Sequence, residues 1–166
     1  MLGTGHHFTG ALMGVAIAGL AYRFGAHIAM YEVGMVALAG WYGGVAPDRL
    51  EMRKSWKDKK GWHSTTTIPH RTYTHVLLFW LLASIAGGLA LLIGHPVNMD
   101  PIYWVVFGFF MGGLTHIIVD WPNPMGVPLV DPHKRHSLRL WRSGEYEIPI
   151  ILVFGLFAWM CWGMPV

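Results

Sequence analysis

Five apolar stretches constrain the fold of this chain more than any other feature of its sequence. They cover Phe8–Tyr22, Ile28–Val45, His75–Gly94, Ile102–Val119 and Ile148–Gly163. A helix needs about 20 mostly apolar residues to cross a bilayer, and each stretch approaches that length, the first being the shortest. The chain is also 54% hydrophobic and only 13% charged. We therefore expect an all-α, polytopic membrane helix bundle with about five transmembrane helices, forming a single integral membrane domain over residues 1–166.

The basic residues predict how the bundle is oriented. Of twelve Lys and Arg, seven lie between Arg49 and Arg71 and four between Lys134 and Arg142. Because cytoplasmic loops carry an excess of cations, both polar loops and the N-terminus are expected in the cytoplasm, with the C-terminus outside. The first basic segment, "EMRKSWKDKKGWHS", is expected to form a surface loop or a short interfacial helix. Its cations predict contact with membrane lipids.

Glycine spacing predicts close helix packing. Gly10 and Gly14 are four residues apart, as are Gly108 and Gly112, which lets helix backbones approach closely in one compact bundle. The sequence has no Walker loop, GxSxG elbow or Rossmann glycine pattern. Nucleotide-dependent and serine-hydrolase chemistry is therefore unsupported, and no nucleic-acid partner is predicted.

The segment "HIIVD" contains the first candidate pair of metal ligands. His116 and Asp120 are four residues apart, which on a helix offsets them by roughly 40° and about 6 Å, so that both can face one point. Imidazole and carboxylate together suit zinc, manganese or iron better than calcium or magnesium. A His–Asp hydrogen bond that only locks the helix end would produce the same spacing.

The segment "HRTYTH" contains the second candidate group. His70 and His75 can share a site if His70 lies in the loop and His75 in the first helical turn, with Arg71 facing the site as a cation. Alternatively, His70 and Arg71 contact lipid headgroups at the interface. Thr72 and Thr74 are candidate caps of the helix start.

Other polar residues are weaker candidates by themselves. A histidine pair such as His6 and His7 near a terminus is usually solvated, and Asp48 after Pro47 is typical of a helix-end carboxylate. The Pro- and Gly-rich segment "DWPNPMGVPLVDP" predicts an extended, rigid loop that redirects the chain. Asn123 in this loop is an additional candidate contact to the site. His133 and His136, among basic residues, are expected at the surface.

Taken together, four segments resemble the YdjM-like family of membrane-bound metal-dependent hydrolases, a resemblance that extends to about Pro132. The segments are "GHHFTG", "APD", "HRTYTH" and "GGLTHIIVDWPNPMGVPLVDP". The resemblance implies a bacterial inner membrane location. Its H-x-x-x-G motif falls on His6 and Gly10 and favours His6 over His7. Its HRxxTH motif falls on His70, Arg71, Thr74 and His75. Its H-x-x-x-D motif falls on His116 and Asp120.

One family motif is altered in this chain. Where the family usually has P-D-x-D-H, this sequence has "PDRLE", which keeps Asp48 but places Leu50 and Glu51 at the positions of the second carboxylate and the histidine. Glu51 remains a candidate oxygen ligand.

The resemblance implies hydrolysis assisted by one or two divalent ions, with zinc favoured and manganese or iron as alternatives. The implied ligand pool is His6, Asp48, His70, His75, His116 and Asp120. Asp48 and Arg71 are the candidate catalytic residues, with Arg71 stabilising developing negative charge. The expected substrate is a phosphate ester or a lipid-linked molecule at the cytoplasmic headgroup level. The alternative is a non-enzymatic membrane scaffold or assembly subunit with a degenerate site, which would have a membrane-protein partner or form a homo-oligomer.

Overall fold

Helices dominate the structure, a computed structural model that describes residues 3–58, 61–93 and 101–163. Most of the described residues are helical, with six α-helices in these ranges, so the all-α class fits. The helices are α1 (Gly3–Arg23), α2 (Met30–Gly43), α3 (Ala46–Arg49), α4 (Leu77–Ile93), α5 (Pro101–Asp120) and α6 (Glu147–Gly163). All but the short α3 coincide with a predicted apolar stretch to within a few residues. The predicted end of the third stretch, Gly94, lies outside the described residues.

Only α5 is a clear candidate for a membrane span among the described residues. Its 20 residues combine sufficient length with sufficient hydropathy, whereas α4 and α6 are apolar but shorter. α2 has 14 residues, a length of about 21 Å at the usual rise of a helix, and α1 is long enough but contains several glycines and two histidines. By length and hydropathy, the described residues therefore contain one clear membrane-spanning candidate, α5, and two shorter apolar helices, α4 and α6.

The helices form a bundle centred on α1, α2 and α5. α1 packs against α2, α5 and α6, while α4 packs against α5 on the opposite flank. Glycines permit the closest contacts: a Cβ on Gly10 or on Gly112 would collide with the carbonyl oxygen of Gly40, and one on Gly14 or Gly108 would meet the α2 backbone. The predicted role of these glycines in close packing is thereby confirmed.

Two buried tryptophans mark the two ends of the apolar core. Trp104 packs with residues of α1, α2 and α4 at one end. Trp80 packs against α5 at the other end, and its indole Nε1 donates a hydrogen bond to the carbonyl oxygen of Thr74 (2.8 Å). This bond joins the segment before α4 to the core, next to the polar end of the bundle.

The first basic segment is a β-hairpin, which corrects the prediction of a surface loop or short interfacial helix. Strands β1 (Arg53–Asp58) and β2 (Gly61–Thr66) pair antiparallel. Tryptophan and threonine favour extended backbone, and Gly61 adopts φ +128°, a conformation that other residues rarely reach. The Asp58 carboxylate accepts a hydrogen bond from the Gly61 amide at 3.1 Å. These local preferences outweigh the helix propensity of the lysines.

The Pro- and Gly-rich segment after α5 forms an extended loop, as predicted. It contains β3 (Val127–Pro128), which pairs with β4 (Arg135–His136) in a two-residue ladder. The amide of Leu78 in α4 donates a hydrogen bond to the Leu129 carbonyl (3.0 Å). The loop therefore packs against the start of α4, beside the histidine-rich segment.

Candidate metal centre

The predicted site residues meet at one end of the bundle. His6 lies in the first turns of α1, Asp48 in α3 just after α2, His75 in a single 3-10 turn (Tyr73–His75) before α4, and His116 and Asp120 at the end of α5. Because α1 begins at Gly3, the N-terminal histidines lie inside this helix and not before it. The four residues other than Asp48 are buried. Residues far apart in sequence therefore share one polar cluster.

Three ligand-type atoms converge at the centre of this cluster. His75 Nε2 lies 3.3 Å from Asp48 Oδ1 and 3.3 Å from His116 Nε2, and the remaining side of the triangle is 3.8 Å. Tetrahedral ligands with bonds of about 2.0–2.1 Å are separated by about 3.3–3.4 Å. Asp48 Oδ1 is buried and has no hydrogen-bond partner among the described residues. Two sides of the triangle therefore match the ligand spacing of a tetrahedral metal site, and the third side is somewhat longer.

Hydrogen bonds orient both imidazoles toward this centre. His116 Nδ1 lies 2.7 Å from the carbonyl oxygen of Gly44, a contact that requires an Nδ1–H donor and leaves Nε2 with a free lone pair. His75 Nδ1 lies 3.2 Å from Glu51 Oε1. A carboxylate or carbonyl behind a histidine is the usual arrangement for metal-ligating histidines, because it sets the tautomer and the ring orientation.

Glu51 organises the residues around His75. Its Oε1 accepts a hydrogen bond from the Arg71 amide (2.9 Å) and a longer one from the Thr74 hydroxyl (3.4 Å), while its Oε2 lies 2.7 Å from His70 Nδ1. The glutamate is 3% exposed. These bonds use both oxygens, so the structure gives Glu51 an orienting role in addition to its place among potential ligands. Leu50, by contrast, is half exposed and lies at the surface.

A second group of ligand-type atoms lies on the other side of His116. His6 Nε2 is 3.3 Å from Asp120 Oδ1, and His116 Nε2 is 3.7 Å from Asp120 Oδ2. The rings of His6 and His116 stack with centroids 3.8 Å apart. His7 instead directs Nδ1 to the Trp41 carbonyl oxygen at 2.9 Å. Of the two N-terminal histidines, His6 is the one that reaches the site.

The two groups together define the candidate centre. One comprises Asp48, Glu51, His70 and His75, and the other comprises His6, His116 and Asp120; within each, the ligand-type atoms lie within 4.8 Å of one another. His116 Nε2 also belongs to the central triangle, so it joins the two groups.

Arg71 faces Asp120 and adopts an unusual backbone conformation. Its φ is +57°, in the left-handed region that costs energy for a residue with a side chain. Its backbone amide bonds Glu51, while its guanidinium donates to the Asp120 carboxylate and to the carbonyl oxygen of Gly126 (3.3 Å). The structure therefore gives the arginine a bound carboxylate partner, whereas the sequence suggested that it faces substrate.

Several neighbouring residues have roles that the sequence did not predict. Asn123 donates its amide to the Ser143 hydroxyl and accepts from the Met125 amide (3.1 Å), so it orders the loop after α5. Thr72 bonds the Pro69 carbonyl (2.6 Å) and Thr74 turns toward Glu51 and His75, so neither hydroxyl caps α4. His133 is exposed, as expected.

The carboxylates and His75 perturb one another's proton affinities. Burial alone would raise the pKa of Asp48, but the adjacent imidazoles, His75 first among them, hold that pKa well below its usual value. The pKa of Glu51 is likewise lowered by His75, the Arg71 amide and His70, against the effect of burial. Burial alone would lower the pKa of His75, but Asp48 and Glu51 raise it. The two carboxylates therefore favour the protonated form of His75, and His75 favours the ionised form of both carboxylates.

The cluster opens to the exterior at the base of the β1–β2 hairpin. A cavity of about 540 Å³ is lined by Asp48, Arg49, Glu51, Thr66 and His70. The side chains of Asp48 and His70 are 38% and 45% exposed, in contrast to the buried His75 and His116. A molecule of small or moderate size can therefore approach the exposed parts of Asp48 and His70, whereas Asp48 Oδ1 itself is buried behind them.

The chain is similar to a known protein family over nearly its whole length. A family model described as YdjM inner membrane protein matches residues 1–164, which include all residues of the candidate centre. No curated protein and no solved structure matches the chain.

Proposed function

The chain belongs to the YdjM inner membrane protein family, and we propose that it is a membrane-bound, metal-dependent hydrolase. The observation that carries the proposal is the triangle of His75 Nε2, His116 Nε2 and Asp48 Oδ1, with sides of 3.3–3.8 Å and an unpartnered oxygen. Two imidazoles and one carboxylate form a common set of ligands in catalytic zinc sites.

We assign the metal ligands by their place around this triangle. His75, His116 and Asp48 hold one divalent ion, with zinc favoured over manganese or iron. His6 and Asp120 complete its coordination or hold a second ion. Such an ion, when bound, supplies a Lewis acid that lowers the pKa of water toward neutrality.

The other residues of the site act by orienting these ligands and controlling charge. Glu51 holds the Nδ1 side of both His75 and His70 and thereby keeps the His75 Nε2 lone pair directed inward. Arg71 fixes the orientation of Asp120 and balances its charge. His70 lies at the exposed edge of the cavity, where its proton on Nδ1 is shared with Glu51 Oε2 across 2.7 Å. As an exposed imidazole that lines the cavity, it is placed to contact a substrate.

We further propose that five helices cross the membrane and that the site faces the cytoplasm. The ends of the helices that carry the site also adjoin both basic segments, which favours the cytoplasmic side for the cluster. A site at this depth suits a phosphate ester or a lipid-linked substrate at the headgroup level. A cysteine placed at Lys54 and labelled from the outer side of intact cells would contradict this orientation.

The second candidate function is a non-enzymatic scaffold that keeps the fold. The observation that favours it is the replacement in "PDRLE", because Leu50 is an apolar residue at the surface and both oxygens of Glu51 already accept hydrogen bonds. Under this alternative, the cluster would be held by protons and salt bridges, without a catalytic ion.

Metal analysis of the detergent-purified protein separates the two functions. We expect one or two equivalents of divalent metal in the wild type, loss of metal in His116→Ala and no change in His133→Ala, which alters an exposed histidine. Metal-loaded protein should hydrolyse p-nitrophenyl phosphate or a phospholipid in mixed micelles, and a chelator should stop the reaction. Wild-type protein without stoichiometric metal would overturn the enzyme proposal in favour of the scaffold.

A further inference from the structure

The β1–β2 hairpin has a composition that the metal centre does not explain. Residues 53–60 contain five cations and one acidic residue. Two indoles accompany them: Trp56 is 49% exposed and Trp62 is 75% exposed. Lys57 Nζ lies 5.9 Å from the centre of the Trp62 ring. Indoles are enriched at boundaries where one end of the ring is in an apolar environment and the other is in water.

Strand pairing gives each face of the hairpin an indole and a cation. Lys57 pairs with Trp62, and Trp56 pairs with His63. Residues directly opposite each other share a face of the sheet, and residues two apart along a strand do too. One face therefore presents Lys57 with Trp62, and the other presents Lys54 with Trp56. Indole and ammonium together are typical of the boundary between lipid headgroups and acyl chains.

The hairpin has little support from the rest of the chain. Among the described residues, its extensive contacts are between its own two strands. Its base is attached by the amide of Thr67, which donates to the Glu51 carbonyl at 3.0 Å. A two-stranded hairpin by itself is only marginally stable in water. An external surface that binds both its cations and its indoles would stabilise the hairpin.

We infer that this hairpin docks on the anionic headgroups of the membrane leaflet at the same end of the bundle. Charge complementarity favours a phospholipid surface, and the exposed indoles suit its headgroup region. The second basic loop supports this placement, because Arg135 Nη2 donates to the His70 carbonyl at 2.7 Å and so lies next to a residue that lines the cavity. Arg49 lines the cavity itself. Docking would bring the opening to the headgroup level, and the inference does not depend on metal chemistry.

The test measures how accessible the hairpin is in bilayers of defined charge. A nitroxide is attached at Ser64→Cys in a Cys161→Ala background, and the full chain is placed in nanodiscs of phosphatidylglycerol or phosphatidylcholine. Collision with a water-soluble nickel chelate reports exposure of the label. We expect accessibility at least threefold lower in phosphatidylglycerol, and we expect 0.5 M NaCl to remove the difference.

Matched variants assign the effect to the hairpin. Lys54→Gln with Lys57→Gln should abolish the protection, whereas Lys54→Arg with Lys57→Arg should keep it, as should Arg23→Gln at the opposite end of α1. Equal accessibility of the label in the two lipids would overturn the inference. Heparin added to phosphatidylcholine nanodiscs tests whether any polyanion protects the label. Protection equal to that in phosphatidylglycerol would show that the hairpin binds anions in general, which would overturn a membrane-specific role. The salt titration needs no lysine substitution, so it decides the matter even if a variant fails to fold. Metal content, measured in parallel, tests the hydrolase proposal separately.

Discussion

The Nε2 atoms of His75 and His116 lie 3.3 Å apart although the two residues are separated by 41 positions in the sequence. His116 Nδ1 is bonded to the Gly44 carbonyl, so its Nε2 presents a lone pair to the second ring. Two facing lone pairs repel at this distance unless a proton or a metal ion lies between them. Because Asp48 Oδ1 lies beside both nitrogens, a cation there would satisfy three atoms at once.

Replacing Asp48 by asparagine should abolish stoichiometric metal binding. The substitution preserves the shape of the side chain but removes the negative charge of the unpartnered oxygen. Inductively coupled plasma mass spectrometry of the purified variant measures the result. Asp131→Asn, which neutralises a half-exposed carboxylate elsewhere, is the control and should retain its metal. Retention of metal in Asp48→Asn would place the ion outside the central triangle.

Glu51→Gln should weaken metal binding about 10- to 100-fold, the range typical for residues that orient metal ligands. Glutamine keeps the size of the side chain but loses the charge that faces His75, His70 and the Arg71 amide. Competition with a fluorescent zinc chelator measures the affinity. Leu50→Asp, at the adjacent exposed position, should leave the affinity unchanged. A large effect of Leu50→Asp would show that this position faces the site.

Arg71→Ala should destabilise the fold by about 3–5 kcal/mol, because it leaves the buried Asp120 carboxylate without its charged partner. Thermal unfolding in detergent, followed by tryptophan fluorescence, reports the loss. Lys134→Ala, which removes an exposed cation, should have an effect within about 0.5 kcal/mol. An Arg71→Ala protein as stable as the control would mean that the ion pair with Asp120 contributes nothing to folding.

Metal affinity should fall with decreasing pH because His75 must lose its proton to bind the ion. Its pKa is raised, so the metal-free protein holds this proton at pH values below that pKa, and affinity should fall about tenfold per pH unit there. Asp48 and Glu51 stay ionised because their pKa values are lowered, and they add no slope. At pH values above the pKa of His75, this residue is already deprotonated and contributes no further pH dependence to the metal affinity.

Calorimetric titration with zinc in buffers of different ionisation enthalpy counts the protons released. At a pH below the raised pKa of His75, we expect release of about one proton per ion. His133→Gln should not alter the count. Binding without proton release at that pH would show that His75 is not a ligand.

Gly40→Ala should disrupt the bundle, because its Cβ would collide with the carbonyl oxygen of Gly10. The obstacle is backbone, so relief requires α1 and α2 to separate, and we expect a loss of at least about 1–3 kcal/mol, the usual cost of overpacking. Gly34→Ala in the same helix is a matched control, since nothing lies within 4 Å of its Cβ. Comparison of the two melting temperatures tests the contact; equal values would contradict it.

The sequence alone predicted where the long helices lie and which of their residues share a face. Hydrophobic stretches define helices locally, and four-residue spacing places His116 and Asp120 on one side of α5 whatever surrounds it. The resemblance to the family selected His6 over His7 before the structure placed His6 next to Asp120. These are local or motif-based properties, so they could be read without a tertiary structure.

Only the tertiary structure decided which partner each polar group has. Arg71 lies against Asp120 because the loop before α4 passes the end of α5, and His116 has an acceptor because α2 ends at Gly43 and the Gly44 carbonyl faces it. Glu51, whose position suggested a damaged motif, proved to hold two histidines. Asn123, whose position suggested a site residue, bonds its own loop. Hydrogen bonds act over about 3 Å between elements, and no sequence period encodes which elements come that close.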